Sequence, residues 1–413
     1  MPRWSDYSTG ERIKILRGRD VRQSDLAEMT GLSLPTIQTA EQDKRLTLPT
    51  LMRIAAALGV DTSVILGQQE PRRAMAQDDR AMMRALSRAV HDTWAGIVLD
   101  DLEPAPLDEL KETAQRCWEL YWKGSYTQVG SLAGPFVVEA DARLRQQPDG
   151  EQAEAWGVLS DAYRIAAYVA NLMGARDLAY AAIGHSQEAA RRSADDLRQA
   201  LVASGRAWVY LRDARLAEAV RLAERSATDI EPRFSTATRE QLTVYGSHIN
   251  FAAVVASRMG DKDRAADYLS QSHATGARMG REARAHGTLF GPVTATTQAI
   301  GIKTSLGEIG KALELVKGVG DTDLESLTEA ARHRFKMDKA MAQADAKMYD
   351  ASLDTLEEAL LDAPEWARHQ ALPSVIVQKV GKASTARLRR VSELIGVAPG
   401  TASFLPATSR TVR

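Results

Sequence analysis

The apolar and polar positions at the start of the chain fall into short stretches at helical spacing, each with its own start signal. Ser8 and Glu11 have the spacing of a capping box, and Ile13 and Leu16 then begin an apolar stripe, so a first helix is expected over about residues 9–18. Gln23, Leu26, Ala27 and Thr30 mark a second helix that stops at Gly31, a residue able to take the left-handed conformation of a helix end. After a very short turn, Ser33 caps a third helix from Leu34 to about Glu41, with Ile37 and Ala40 facing inward and Leu34, Thr36, Gln38 and Thr39 largely outward. Thr47 caps a fourth, carrying Leu51, Ile54, Ala55 and Leu58, with Pro49 in its first turn and Gly59 at its end; Thr62 to Leu66 suggest a short fifth. None of these helices is long enough to be stable alone, so they must share a core of Ile13, Leu16, Leu26, Ala27, Leu32, Ile37, Leu51, Ile54 and Leu58. Ala27 and Gly31 are small where helices two and three are expected to approach.

Residues 68–80 lack apolar periodicity and contain Pro71, as a linker should. From 81 to 396 the pattern is helical throughout, rich in alanine and leucine, and short turns recur near Gly174 to Asp177, Arg212 to Arg215, Gly260 to Asp263, Gly307 to Ile309 and Tyr349 to Ala351. Periods of about 40 to 50 residues fit two packed helices and their connections, stacked because a single pair cannot bury its apolar face. Residues 397–413 read as a flexible tail. The expected fold class is therefore all-α, with a five-helix head and a long helical-repeat body.

Composition narrows the function classes. Charged residues at 26% and hydrophobic residues at 44% are ordinary for a globular protein, and the net charge of -1 confines any basic field to one face. The single cysteine, Cys117, leaves no disulfide or cysteine-based zinc framework, and the seven histidines are scattered, so no metal is expected. Neither a signal peptide nor the roughly 20 apolar residues of a membrane span can be found, which points to a cytoplasmic protein without a membrane partner. No nucleophile triad or phosphate-cradling glycine loop is present, so neither enzymatic activity nor a cofactor is expected.

The close pair of helices two and three meets the requirement of a helix-turn-helix, whose second member enters a major groove about 12 Å wide. Residues 23–60, QSDLAEMTGLSLPTIQTAEQDKRLTLPTLMRIAAALGV, resemble the lambda-repressor-like, or XRE, family of DNA-binding domains, which sets the head at residues 8–67. The resemblance implies that Gln23 contacts a phosphate, that Arg17 pairs with Glu41, and that Leu34, Pro35, Thr36, Gln38 and Thr39 lie toward the bases. Arg22 stands where the family usually has a Ser or Thr cap. Leu34 and Pro35 offer only apolar contact, so readout should lean on Gln38 and Thr39, with Arg19, Arg22, Lys44 and Arg45 flanking the helix as phosphate contacts.

The body resembles tetratricopeptide repeats, with Trp156, Tyr163, Gly174 and Ala182 marking one unit and Trp208, Ala214 and Ala219 another. The whole chain is similar to actinobacterial XRE regulators that join such a head to divergent repeats, on the segments at 162–183 and 289–300. That resemblance implies a repeat domain that forms a homodimer and senses an effector; a two-fold dimer of such heads in turn suits a double-stranded, palindromic operator, and a peptide or small molecule is the effector class expected. Candidate effector residues are Tyr245 and His248 beside Ala252 on one helical face, Phe290, Thr294 and Thr297 on another, and the polar Asn171, Asn250 and His286 within or beside apolar helices. The alternative to a transcriptional regulator is a protein-interaction adaptor whose repeat groove carries the function.

Overall fold

The computed structural model describes residues 4, 7–18, 21–58, 60–67, 77–97, 102–148, 150, 152–381 and 386–395. Arg19, Gly59, most of the expected linker and the expected tail lie outside the described residues.

Five helices make the head: α1 (Thr9–Arg17), α2 (Gln23–Thr30), α3 (Leu34–Glu41), α4 (Leu48–Ala57) and α5 (Thr62–Leu66). The caps sit where orphan amides need them. Ser8 and Glu11 form the capping box of α1, Ser33 accepts from the Thr36 amide, Thr47 from Thr50, and Asp61 from Ser63. Arg22 supplies no side-chain cap to α2; its own amide donates to Asp25 Oδ2 at 2.8 Å instead. Ile13, Leu26, Ile37, Leu51, Ile54 and Ile65 are wholly buried in the shared core. The small-residue expectation needs a correction. Gly31 ends α2 with φ 62°, but a Cβ there would meet nothing, so its role is conformational. The close approach lies at Gly10, where a Cβ would come 2.5 Å from the Glu41 carbonyl oxygen as α1 crosses the end of α3.

After α6 (Gln77–Trp94), which lies on α8, the body is built of helix pairs. They are α7 (Leu107–Lys123) with α8 (Tyr126–Gln146), α9 (Gln152–Leu172) with α10 (Arg176–Arg192), α11 (Asp196–Arg212) with α12 (Leu216–Asp229), and α13 (Arg239–Met259) with α14 (Lys262–Met279). A short hairpin, β1 (Ala283–Ala285) and β2 (Thr288–Phe290), precedes α15 (Pro292–Ser305), paired with α16 (Ile309–Gly318). Then come α17 (Asp321–Glu325), the pair α18 (Glu329–Asp345) and α19 (Tyr349–Asp362), and finally α20 (Pro364–Arg368), α21 (Leu372–Val380) and α22 (Ala386–Leu394). The hairpin modifies the wholly helical expectation. His286 (φ 45°) and Gly287 (φ 76°) form a two-residue turn with both φ positive, the geometry that matches strand twist.

Neighbouring pairs pack in chain order, and their first helices also touch one another, from α7 through α9, α11, α13 and α15 to α18. The row returns on itself, since α18 reaches α7. At that seam the Thr127 amide and hydroxyl donate to Glu365 at 2.8 and 2.9 Å, and Gly124 lies so close to Trp366 that a Cβ would be 2.6 Å from it. Among the described residues, polar contacts fasten the head beside this row. Asp61 pairs with Arg176, Arg53 donates to the Met259 carbonyl at 3.2 Å, and Gln378 donates to Asp43 at 3.0 Å.

Candidate nucleic-acid interface

The outward face of α3 owes its position to one buried carboxylate. Glu41, at the last turn of α3, is 1% exposed and accepts from Arg17 Nε of α1 at 2.7 Å and from Gln23 Nε2 of α2 at 2.6 Å. A carboxylate taken out of water must be answered by donors, and here the donors come from both neighbouring helices. Glu41 thus fixes α3 against α1 and α2 together. The pairing implied for Arg17 is present, and the Gln23 amide, implied as a phosphate contact, is engaged by Glu41.

A second carboxylate, Asp43, holds the exit of α3. It adopts φ 55°, a left-handed position that Asp tolerates better than most residues, and accepts from the Ser8 hydroxyl at 2.6 Å and the Gly10 amide at 2.7 Å as well as from Gln378. Sequence reasoning passed over Asp43, although an acidic residue just past a helix end was its signal. It also passed over Arg12, 1% exposed, which donates to the carbonyls of Trp4 and Ile65 at 3.0 and 3.2 Å. Burial pulls the Arg12 pKa below the usual guanidinium value, with Asp43 and then Glu11 opposing.

On the face so positioned, Leu34 and Pro35 are exposed while Thr36, Gln38 and Thr39 are half-buried. Thr36 bonds the Ser33 hydroxyl at 2.8 Å, and the Thr39 hydroxyl donates to the Thr36 carbonyl at 3.0 Å, leaving its lone pairs outward. The Gln38 amide makes no hydrogen bond among the described residues. Arg22, Lys44 and Arg45 are exposed, and their side chains form no ion pair among the described residues. Lys44 and Arg45 line a groove shared with the body, whose lining also includes Asp338 and Asp345. The head meets the body through α4, the start of α5 and the turn after α3, so the face of α3 that carries Leu34 and Gln38 is left uncovered.

The expected effector cluster does not assemble. Tyr245 is 4% exposed and packs on Ala227 and Ile249; His248 is wholly buried with its ring nitrogens 2.9 and 2.7 Å from the carbonyls of Val244 and Ala200, burial holding its pKa down. Phe290 is on strand β2 rather than a helical face and is buried with Leu242, Met279 and Ala295. Thr297 is buried and donates to the Val293 carbonyl, and Thr294 donates to Glu282. His286 occupies the hairpin turn and meets Glu240 at 2.7 Å. Asn250 accepts from Ser272, while Asn171 is wholly buried in α9 with neither amide atom bonded among the described residues. Asn250 and Thr294 do border a central cavity. Sequence periodicity could not separate inner from core positions because α13 is buried on most sides.

Two short helices locked through one buried carboxylate acceptor, the second presenting an outward polar face, define a helix-turn-helix DNA-binding domain. A family profile for the Cro/C1-type HTH DNA-binding domain matches residues 13–67, the head and not the body. Among curated proteins and solved structures, none matches the chain. The chain is thus a DNA-binding regulatory protein with a large multi-helix domain behind its head. Among the described residues no group of three His, Cys, Asp or Glu side chains could hold a metal ion, and no helix is long and apolar enough to cross a membrane.

Proposed function

We propose that the chain is a sequence-specific, dimeric transcriptional regulator whose tetratricopeptide-like body spaces two heads on a palindromic operator and senses an effector. The observation that carries this reading is the outward face of α3, with the Gln38 side-chain amide unbonded among the described residues on a helix held by Glu41. An amide of this kind can bond an adenine edge in two places, and the Thr39 hydroxyl, whose proton goes to the Thr36 carbonyl, can accept from a base donor. Each head spans only a short half-site, so two heads with centres about 34 Å apart suit a two-fold site. Arg22, Lys44 and Arg45 supply the backbone attraction, and Arg19 beside α1 belongs with them by its place in the chain. The Cro/C1-type head supports a regulatory role for the chain.

Sites selected from random DNA provide the test. Replacing Gln38 and Thr39 with alanine is expected to cost about 1–3 kcal/mol at the selected site and much less on scrambled duplex. Neutralising Arg22, Lys44 or Arg45 is expected to weaken both alike and to lower the log-log salt slope by about one unit per contact. Equal losses on both duplexes for the Gln38 and Thr39 variant would remove α3 as the reading helix, and a tight protein partner without site preference would favour the adaptor.

A further inference from the structure

Inside the row of first helices lies a cavity of about 420 Å³, within the size range of small-molecule sites. Its aromatic wall is continuous across three helices: Trp118 of α7 meets Tyr168 of α9 edge to face at 5.3 Å, and Tyr168 leans on Trp208 of α11 at 4.9 Å. The hairpin turn seals one side, with Gly287 against the Trp118 ring and its carbonyl accepting from Trp122 Nε1 at 2.8 Å.

The charged side chains that line this cavity have one sign, with Asp61 and Glu365 acting on Arg212 and Tyr126 from outside the lining. Arg164, Arg212, Arg258 and Arg334 line it, and no carboxylate does among the described residues. Three of these are engaged from behind. Arg164 lies 4.6 Å over Trp118 and bonds Asp161 and the His286 carbonyl, Arg334 bonds Asp338 at 2.9 Å, and Arg258 bonds the Ser305 hydroxyl. Arg212 is different. It makes no hydrogen bond or contact ion pair among the described residues and its Nε is shut away from solvent without an acceptor; Asp61 acts on it through longer-range attraction, and the Trp208 ring lies 6.0 Å away. The hydroxyls of Tyr121, Tyr126 and Tyr168 likewise find no acceptor among the described residues, and burial raises all three pKa values, so they stay protonated donors. A space walled by flat rings, with a guanidinium and hydroxyl donors that have no hydrogen-bonding acceptor among the described residues, favours an anion carried on a ring.

We propose that this cavity binds a small aromatic anion, its ring packed among Trp118, Tyr168 and Trp208 and its carboxylate or phosphate held by Arg212, Tyr121 and Tyr126. Leu48, Met52 and Thr62 of the head also line the cavity, so the occupant touches the head directly and biases how it sits on the body. The inference deepens the sensing role proposed above, and titration without DNA keeps its failure apart from a failure of operator binding.

The full chain is titrated with naphthoate, followed by tryptophan fluorescence and calorimetry, beside naphthyl phosphate, neutral naphthylmethanol and non-aromatic cyclohexanecarboxylate. The better of the two aromatic anions is expected to bind at least about tenfold tighter than either control, and its identity assigns the head group as carboxylate or phosphate. Arg212→Gln is expected to erase that margin while leaving naphthylmethanol affinity unchanged, with the thermal transition of the variant measured alongside. If the variant fails to fold, the four-probe comparison on the parent decides alone. Equal affinity for charged and neutral probes, or a natively folded Arg212→Gln protein that binds the aromatic anion as well as the parent, would overturn the site.

Discussion

The head and the body gather their polar contacts over very different chain distances. In the head, the bonds among its own helices that set α3 join residues 18, 24 and 35 positions apart, and only the added Gln378 bond to Asp43 reaches into the body. Around the cavity, the bonds that shape the walls join residues 122, 165 and 238 positions apart. The head is accordingly a unit whose geometry is settled within one short stretch of chain. The cavity exists only after the whole row of helix pairs has closed on itself. A buried charge in the first should act locally, whereas a change at the closing hairpin should act on the body and leave the reading helix intact.

The largest effect should follow Glu41→Ala. It strands the Arg17 guanidinium and the Gln23 amide together, and breaking one partner of a buried ion pair costs about 3–5 kcal/mol. Hydrogen exchange should show amides of residues 23–41 losing protection while those of α9 and α10 keep theirs. Equal loss in both regions would mean that the contacts at Asp61, Arg53 and Asp43 fuse head and body into one cooperative unit.

A smaller loss, about 2–3 kcal/mol, is expected for Gly287→Ala. The residue sits at φ 76°, and a Cβ there would come 2.5 to 2.7 Å from the Trp118 ring. Near-ultraviolet circular dichroism should report the displaced tryptophan, while DNA affinity stays within about twofold because the α3 bonds are untouched. An unchanged tryptophan signal would show that the hairpin is free to shift away, and that the cavity wall is softer than the geometry implies.

The same contrast explains what could be read from the chain. The caps at Ser8, Ser33 and Thr47, the stop at Gly31 and the Arg17–Glu41 pair are all local or tied to a short motif, and each stands where it was expected. Helix pairing in the body was also legible, because a turn interrupts periodicity wherever it falls; the turn expected at Tyr349 sits slightly earlier, over 346–348. The cavity was not. Tyr245 and His248 have the aromatic and polar character of ligand contacts yet are packed inside α13, whereas Trp208, read as a repeat-core aromatic, stands on the cavity wall. One-turn spacing identifies a face of a helix, not which neighbour that face meets.

The smallest prediction concerns the turns that repeat through the body. Within five successive pairs a residue just past the first helix takes positive φ: Gly174 at 73°, Ala214 at 56°, Gly260 at 80°, Gly307 at 78° and Lys347 at 63°. Equivalent backbone positions are thus filled by glycine three times and by a side-chain-bearing residue twice. An L-residue there carries a strain of about 1–2 kcal/mol, while glycine gives back about 0.4–1 kcal/mol through the greater entropy of its unfolded chain. Ala214→Gly should therefore stabilise the body by about 0.8 kcal/mol, the midpoint of a difference that runs from about 0 to 1.6 kcal/mol. Gly260→Ala should destabilise it by a similar amount, since a Cβ there would meet nothing and only the backbone term changes. Both appear as shifts of the denaturant midpoint at constant slope, with no change in DNA affinity. Shifts of opposite sign would establish the turns as one repeated device acting on the body alone. A destabilised Ala214→Gly protein would instead show that the Ala214 methyl packs in its own turn more strongly than the left-handed backbone resists it, and the equivalence of the five positions would fail.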